Sequence, residues 1–562
     1  MNFTVNFSGS DFEQIEADVI IIGAGMYGGL MADRLAAPGR RVVMLDAGPM
    51  IDRVEAVDRF RASTTKGNNA PYVNAPWAPC PDDMAPAPFY GSDPMNPNKD
   101  GQTPFAVLYL RGVGGTSWHF TAHAERFQPN DFRMKSLYGV GADWPVTYDE
   151  LQPYYAQAEQ EWGVAGGPAT MGPPRDTPYP MPPVPQSFLD ERVSDALQKT
   201  GYKGQVLGFP HARNSVPGYG GRPQCCGNAS CRFICPIGAK YDGSVHVMKA
   251  VSKGALLLPE RVVYAIDVGA DKQISGLRYV TSKGKPGLAK AKTYILAAHA
   301  IETPKLLLMS AGVNAPRGVA NSSGLVGRNL MCNVDVDSFG WAKNPVWPYR
   351  GPVSATSGID GYRDGAFRTN TAAAVTLVIN GGFNPSLGPF QEVDRALEEN
   401  RIGKNLRQRV HDLVATEVVL SSSVEVLPSL SNTIVPDPSR RDELGIPLPK
   451  VDFSLDEYTI RGCHQAFDRQ MAILKQMDAK IDTEKTSNPN KPTVDGAIMA
   501  GTAKMGISAM DSVVNPFGRS HDHKNLFIIG TANYPTVTVC SPSLTAAALA
   551  IRAADHIAKH DA

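Results

Sequence analysis

The hydrophobic pattern divides the chain into two kinds of segment. Near the start the segment 18 to 22 (DVIII), uninterruptedly apolar from Val19, runs into Gly23, as a strand covered on both faces would. The turn Gly23-Ala24-Gly25-Met26-Tyr27-Gly28 leads to helical spacing over Gly28 to Leu35, and Arg41 to Leu45 makes a second strand ending at Asp46. TYDELQPYYAQAEQEW, at 147 to 162, predicts a helix with Thr147 and Glu150 at capping-box spacing. A short helix is expected over 244 to 251 and strands near 255 to 268, 275 to 281 and 293 to 298. KTYILAAHAIETPKLLLMSAG reads as strand, turn and helix, with Thr303-Pro304 near the helix start. Between 331 and 489 the runs TAAAVTLVI and LVATEVVLSSSVEVL alternate, predicting an antiparallel sheet over which a cavity can form, with a charged helix over 455 to 481 beside it. NLFIIG gives a strand ending at Gly530, and SPSLTAAALAIRAADHIAKH an amphipathic helix. Residues 50 to 109 and 165 to 224 read as long irregular excursions.

The first unit carries chemistry as well as pattern. In a strand–turn–helix–strand setting, Gly23 permits the tight turn, Gly25 lets backbone approach a pyrophosphate, and Gly28 lets helix and strand pack closely. The helix N-terminus then faces the phosphates, and Asp46 can accept hydrogen bonds from a ribose. That dinucleotide is nicotinamide or flavin. A second glycine cluster, LRGVGGTSWHF at 110 to 120, favours flavin, because Gly112, Gly114 and Gly115 let main chain lie against a large flat ligand, with Thr116, Ser117 and His119 adding polar groups.

Length and charge narrow the class. At 562 residues, 43% of them hydrophobic, the chain should hold at least two cored domains. Its 55 basic and 55 acidic side chains leave no net field to recruit nucleic acid, so a small-molecule ligand is expected. No run of eighteen uncharged apolar residues occurs, and the N-terminus carries no export signal, which alone points to the cytoplasm. The dinucleotide domain is expected from 17 to 135, 225 to 330 and 490 to 562, with substrate-domain pieces at 136 to 224 and 331 to 489.

QCCGNASCRFICP, at 224 to 236, holds four of eight cysteines. Cys225, Cys226, Cys231 and Cys235 lack the paired knuckles of a structural zinc site, and the final Cys-Pro is familiar from ferredoxin runs. The spacing admits an iron–sulfur site, a zinc site, or buried thiols and a redox pair.

Together with GTAKMG, SVVNPFGRS and SPSLT near the C-terminus, and the motifs at 111 to 116, 212 to 217, 221 to 228, 235 to 239 and 301 to 308, these residues give a resemblance over almost the whole chain. It resembles the glucose–methanol–choline oxidoreductases, in particular the flavoprotein large subunit of the fructose/glucose/gluconate dehydrogenase type. The resemblance implies an α/β fold: an FAD-binding Rossmann-like domain assembled from separated segments, with an inserted antiparallel-sheet substrate domain. It implies FAD held by Gly23, Gly25, Gly28, Asp46, Arg111, Gly114, Gly115, Thr116, His119, Val263, Gly530 and Thr545. It also implies a [3Fe-4S] cluster on the group Cys225, Cys226, Cys231 and Cys235, needing three thiolates, with Cys225 expected to be spare. A sugar or glycoside substrate, a small subunit carrying the export signal, and a cytochrome c or other electron acceptor follow from the same resemblance. So does a periplasmic location peripheral to the inner membrane.

The catalytic positions depart from that family. Ala497, in DGAIMAGTAKMG, stands where histidine is usual, and Ser541 falls at the usual Asn or His position. Cys332-Asn333 replaces an Asp-His pair. Serine is a poor general base at its ordinary pKa, so Ser541 is expected to orient substrate. The base is therefore unassigned. His521 and His523 precede a core strand and are expected to be structural. Three outcomes remain: oxidation of a sugar ring hydroxyl, with C3 a candidate; fructose or gluconate oxidation; or a catalytically weak electron-transfer or assembly subunit.

Overall fold

A computed structural model describes residues 13–62, 105, 109–227, 231, 234–352, 354–380 and 389–560. Most of the irregular excursion expected over 50 to 109 lies outside the described residues. One sheet is built on parallel strands. Glu13–Ile22 pairs with Val42–Leu45 on one side and with Pro286–Leu296 on the other, and Leu256–Leu258 and Leu526–Ile528 extend the parallel pairing. Ile274–Thr281 and Arg261–Val268 add an antiparallel edge. Ile20, Ile21, Met44, Ile295 and Leu296 are buried, as strands covered on both faces require. The helix Met26–Leu35 packs against Ser244–Ser252 and Ser543–His560, and the latter packs against Tyr148–Trp162, whose capping box at Thr147 and Glu150 is formed.

The second sheet is antiparallel and holds the expected alternation. Met331–Trp341 pairs with Glu417–Val424, which pairs with Ala374–Asn380, then Ser354–Ile359 and Val206–Gly208. The helix Glu457–Gln476 covers one face, where Gln470 receives a hydrogen bond from Ser338 and donates to Ser422 and the Val336 carbonyl. Strand Thr493–Ala500 pairs with Met331–Trp341. That piece belongs to the antiparallel sheet, not to the dinucleotide domain in which the sequence division at 490 placed it. Both layers match the α/β domain plus antiparallel-sheet domain expected.

Three helices differ from expectation, the first being Arg53–Ala62 at the start of the excursion read as irregular. Phe188–Gln198 lies inside the region read as irregular, with Ser187 and Asp190 forming a capping box. The helix His299–Met309 starts before Thr303-Pro304, so Pro304 is inside it. Proline cannot donate to the carbonyl of Ala300. The Thr502 hydroxyl donates to that carbonyl instead, at 2.8 Å, and the helix continues.

Candidate active site

The two glycine clusters meet. Gly23 has φ +97, and a Cβ there would lie 2.6 Å from the Ala297 carbonyl oxygen; a Cβ on Gly28 would lie 1.8 Å from the Gly23 oxygen. Gly114 and Gly115 both have positive φ, and the Gly114 N–H donates to the Ala24 carbonyl at 2.8 Å. Gly115 sits over Gly25 so closely that a Cβ on it would be 3.2 Å from the Gly25 Cα. The helix behind this junction begins at Gly25 with no side-chain cap and no acid in its first turn, leaving its N–H groups and its dipole to an anion.

A cavity of about 1240 Å³ opens from this junction. Its lining includes Gly23, Gly25, Asp46, Arg111, Gly115, Thr116, His119, Val263 and Gly530 from the expected cofactor residues. Asp46 accepts from the N–H groups of Ala24 at 2.8 Å and Gly48 at 2.9 Å, so it braces the turn as well as facing the cavity. Arg111 is paired with Glu302 at 3.0 Å. Burial pushes Glu302 up, but Arg111, Lys305 and the Tyr109 hydroxyl outweigh it and hold its carboxyl at about 2. Gly28 and Gly114 support the wall from behind. Thr545 is not in the lining; its hydroxyl is bonded to that of Tyr155 at 2.7 Å.

Opposite the glycine junction, the free face of the antiparallel sheet presents Asp335, Asp337 and Phe339, then Ser423, Ser421 and Val419, then Val375, Leu377 and Ile379. Asp335 bonds Ser423 and Asp337 bonds Ser421. Burial, with Asp495 and Asp337 nearby, pushes Asp335 well above the usual carboxylate range, and burial also raises Asp337. These pairs therefore offer both donors and acceptors, the complement of a polyhydroxylated ligand.

A bulge between Val494 and Met499 presents Ala497 to the cavity. The residue there supplies only a methyl group. Ser541 also lines the cavity, with its hydroxyl 3.4 Å from that of Ser543. Asn333 does not line it: it is fully buried and donates to Ser423 and to the Thr538 carbonyl. His523 is held by the Lys272 carbonyl and the Ala320 N–H, and His521 by Ser512, away from the cavity. Sequence reasoning missed Glu125, Asp335, Asp337, Asp495, His123 and His299, all in the lining. The alternation VDVD could have placed Asp335 and Asp337 on one face; Glu125 had no such local signal.

The cysteine run folds beside the second glycine loop. Cys231 and Cys235 are buried, Cys225 is half-buried and Cys226 is exposed. Burial raises the Cys231 thiol, with the nearby Cys235 and Cys225 adding to it and Arg213 and Lys240 opposing. Cys225 thus lies near the buried Cys231, and Cys226 is the exposed member of the run. No three of these sulfurs come within 4.8 Å of one another. Lys240 reaches from this segment to the carbonyls of Ser117, Trp118 and Phe120, at 3.2, 2.8 and 2.8 Å.

Comparison with known proteins gives matches to models of GMC oxidoreductase over residues 141–335 and 432–550. The chain is 37% identical to the fructose dehydrogenase large subunit of Gluconobacter japonicus, covering 97% of this chain and 98% of that protein. It is 22% identical to the gluconate 2-dehydrogenase flavoprotein of Pantoea cypripedii, over 95% and 92%. Among solved structures, pyridoxine 4-oxidase from Mesorbium loti has the same fold, with a TM-score of 0.62, 16% identity, and coverage of 97% and 99%.

Proposed function

Because this chain belongs to the GMC oxidoreductase family, we propose that it is a dehydrogenase that oxidises a ring hydroxyl of a sugar or glycoside and passes the electrons through a [3Fe-4S] cluster to a cytochrome or other acceptor. Family membership makes it an FAD oxidoreductase. One observation carries the sugar reading: the glycine junction and the hydroxyl-and-carboxyl face of the antiparallel sheet line a single cavity.

The residues fit FAD. Gly23, Gly25 and Gly115 leave room for a ligand against bare main chain, the uncapped helix end at Gly25 suits a pyrophosphate, and Asp46 suits a ribose. When bound, FAD supplies an acceptor for hydride and its two electrons. The chain's own part is to hold and orient the substrate. Asp335 with Ser423 and Asp337 with Ser421 bind hydroxyls, the apolar residues of Ala374–Asn380 exclude water, and Ser541 orients the reacting group. Cys231 and Cys235, with Cys225 or Cys226, would hold the cluster, and Lys240 ties that segment to the second glycine loop.

The proposal extends to partners and place: a small subunit bearing the export signal, a cytochrome c acceptor, and a periplasmic site at the inner membrane reached through them. The large-subunit name of the Gluconobacter relative supports the existence of a partner subunit. Among the described residues no helix is long and apolar enough to cross a membrane. Ala497 favours a second reading, a weakly catalytic electron-transfer subunit, because the usual base is missing.

The test is anaerobic purification followed by titration with monosaccharides, disaccharides and glycosides blocked at C3. Flavin absorbance bleached by a sugar, with iron and sulfide present, is the expected result. Fructose or gluconate as the best substrate would favour that narrower activity. Flavin reducible by dithionite but by no alcohol would favour the electron-transfer reading, and zinc in place of iron would end the cluster proposal.

A further inference from the structure

Alcohol oxidation needs an acceptor for the hydroxyl proton within hydrogen-bond reach. We propose that Glu125 is this acceptor: a carboxylate buried in the cavity wall and held against the main chain of Ser541 takes the proton that the missing histidine would have taken. The inference rests on the dehydrogenase reading above and assigns that site its base.

Glu125 is 3% exposed and lines the cavity. The Ser541 N–H donates to its carboxylate, which places it directly behind a position where the family carries a catalytic side chain. Its Oε2 is buried and has no hydrogen-bond partner. Three other buried glutamates are neutralised: Glu159 by Arg126 and Arg175, Glu392 by Arg395, and Glu425 by Arg368. Among the described residues Glu125 has no such ion pair. Arg363 faces it but donates to the Cys540 sulfur. A buried carboxylate with no cation bonded to it is expensive, and a chain that keeps one gains something other than stability from it.

Four other titratable groups in the cavity are committed elsewhere. His123 is engaged with the Ala355 carbonyl at 3.1 Å and stacked on Phe209, and burial holds it down at about 4. Burial likewise holds His299 at about 4, and its ring stacks on Tyr109. Asp335 and Asp337 are bonded to serines on the sheet. Glu125 differs: burial raises it, Arg363 opposes, and the carboxyl lies at about 7. The groups facing it are Arg363 and the Cys540 thiol, with Asp131 beyond Arg363 and His123 on the same wall.

In the step, the substrate O–H bond breaks and its proton goes to Glu125 Oε2. The C–H bond on the same carbon breaks, its electron pair leaving as hydride to oxidised FAD, and the C–O bond becomes C=O. Glu125 then returns its proton to solvent.

The holoenzyme and its Glu125→Gln and Glu125→Asp variants test this. In the wild type the anaerobic rate of flavin reduction should rise with pH through one ionisation near the value of about 7. Glu125→Gln should lower that rate by roughly 10²- to 10⁴-fold and abolish the rise, with FAD content retained, while Glu125→Asp keeps the rise at a reduced rate. A second readout needs no substrate: the protonated-carboxyl infrared band missing in Glu125→Gln should titrate near neutrality in the wild type. A Glu125→Gln rate within about twofold of wild type, a rise that persists in it, or a band titrating in the ordinary glutamate range near ~4.3 overturns the assignment. Wild-type flavin that no alcohol reduces overturns the dehydrogenase reading itself, and this assignment with it.

Discussion

Gly28 and Gly39 separate two reasons for lacking a side chain. At Gly28 a Cβ would meet the Gly23 carbonyl at 1.8 Å, and backbone cannot step aside. Gly39 has nothing within 4 Å and only a φ of +84 to accommodate. Gly28→Ala should therefore lose about 3 kcal/mol or more and shed FAD, while Gly39→Ala loses about 1–2 kcal/mol and keeps it. Thermal melts and flavin content read both. Glu302 gives a pH dependence with a defined sign. Its folded value of about 2 lies below its ordinary 4.5, so its contribution, on the order of 3 kcal/mol, is complete above that range and is lost as pH falls through 2. Glu302→Gln should be less stable at neutral pH and show a flatter acid limb in urea melts.

At the scale of elements, the helix His299–Met309 survives its internal proline because a neighbouring loop supplies the missing donor. Thr502→Val keeps the shape and removes the hydroxyl, leaving the Ala300 carbonyl unpaired. The expected loss is about 1–3 kcal/mol, with near-wild-type flavin binding, measured by chemical denaturation. That long-range compensation explains why the sequence placed the helix start too late: Pro304 announces itself locally, and Thr502 lies 198 positions away. Phe188–Gln198 was missed for another reason. Its capping residues, Ser187 and Asp190, carry the same signal as Thr147 and Glu150, but the prolines before them masked it. The glycine turns and contiguous strands were legible because each is a local constraint on backbone. The cavity's acids were not, since Glu125, Asp335 and Asp495 come to line one cavity only when three separate segments pack together.

At the scale of the whole molecule, Lys240 joins the cysteine segment to the carbonyls of Ser117, Trp118 and Phe120 of the second glycine loop. Burial brings its ammonium down to about 8, with the thiols Cys231 and Cys235 working the other way. Lys240→Met should weaken both sites together. FAD is expected to dissociate about tenfold faster or more, from the loss of charge-assisted bonds on the order of 1.5–3 kcal/mol, and iron content to fall in the same preparations. Unchanged iron with lost flavin would separate the two sites.

The sheet face over the cavity runs from acids and hydroxyls at Asp335, Asp337, Ser421 and Ser423 to hydrocarbon at Val375, Leu377 and Ile379 within two strand spacings. A pyranose is itself lopsided, with an oxygen-rich rim and a flank of bare C–H bonds. On the sugar reading proposed above, such a molecule should settle on this gradient one way up, a mirror-image or epimeric ring should lie rotated, and the floor of the chamber should select which carbon reacts before any bond breaks.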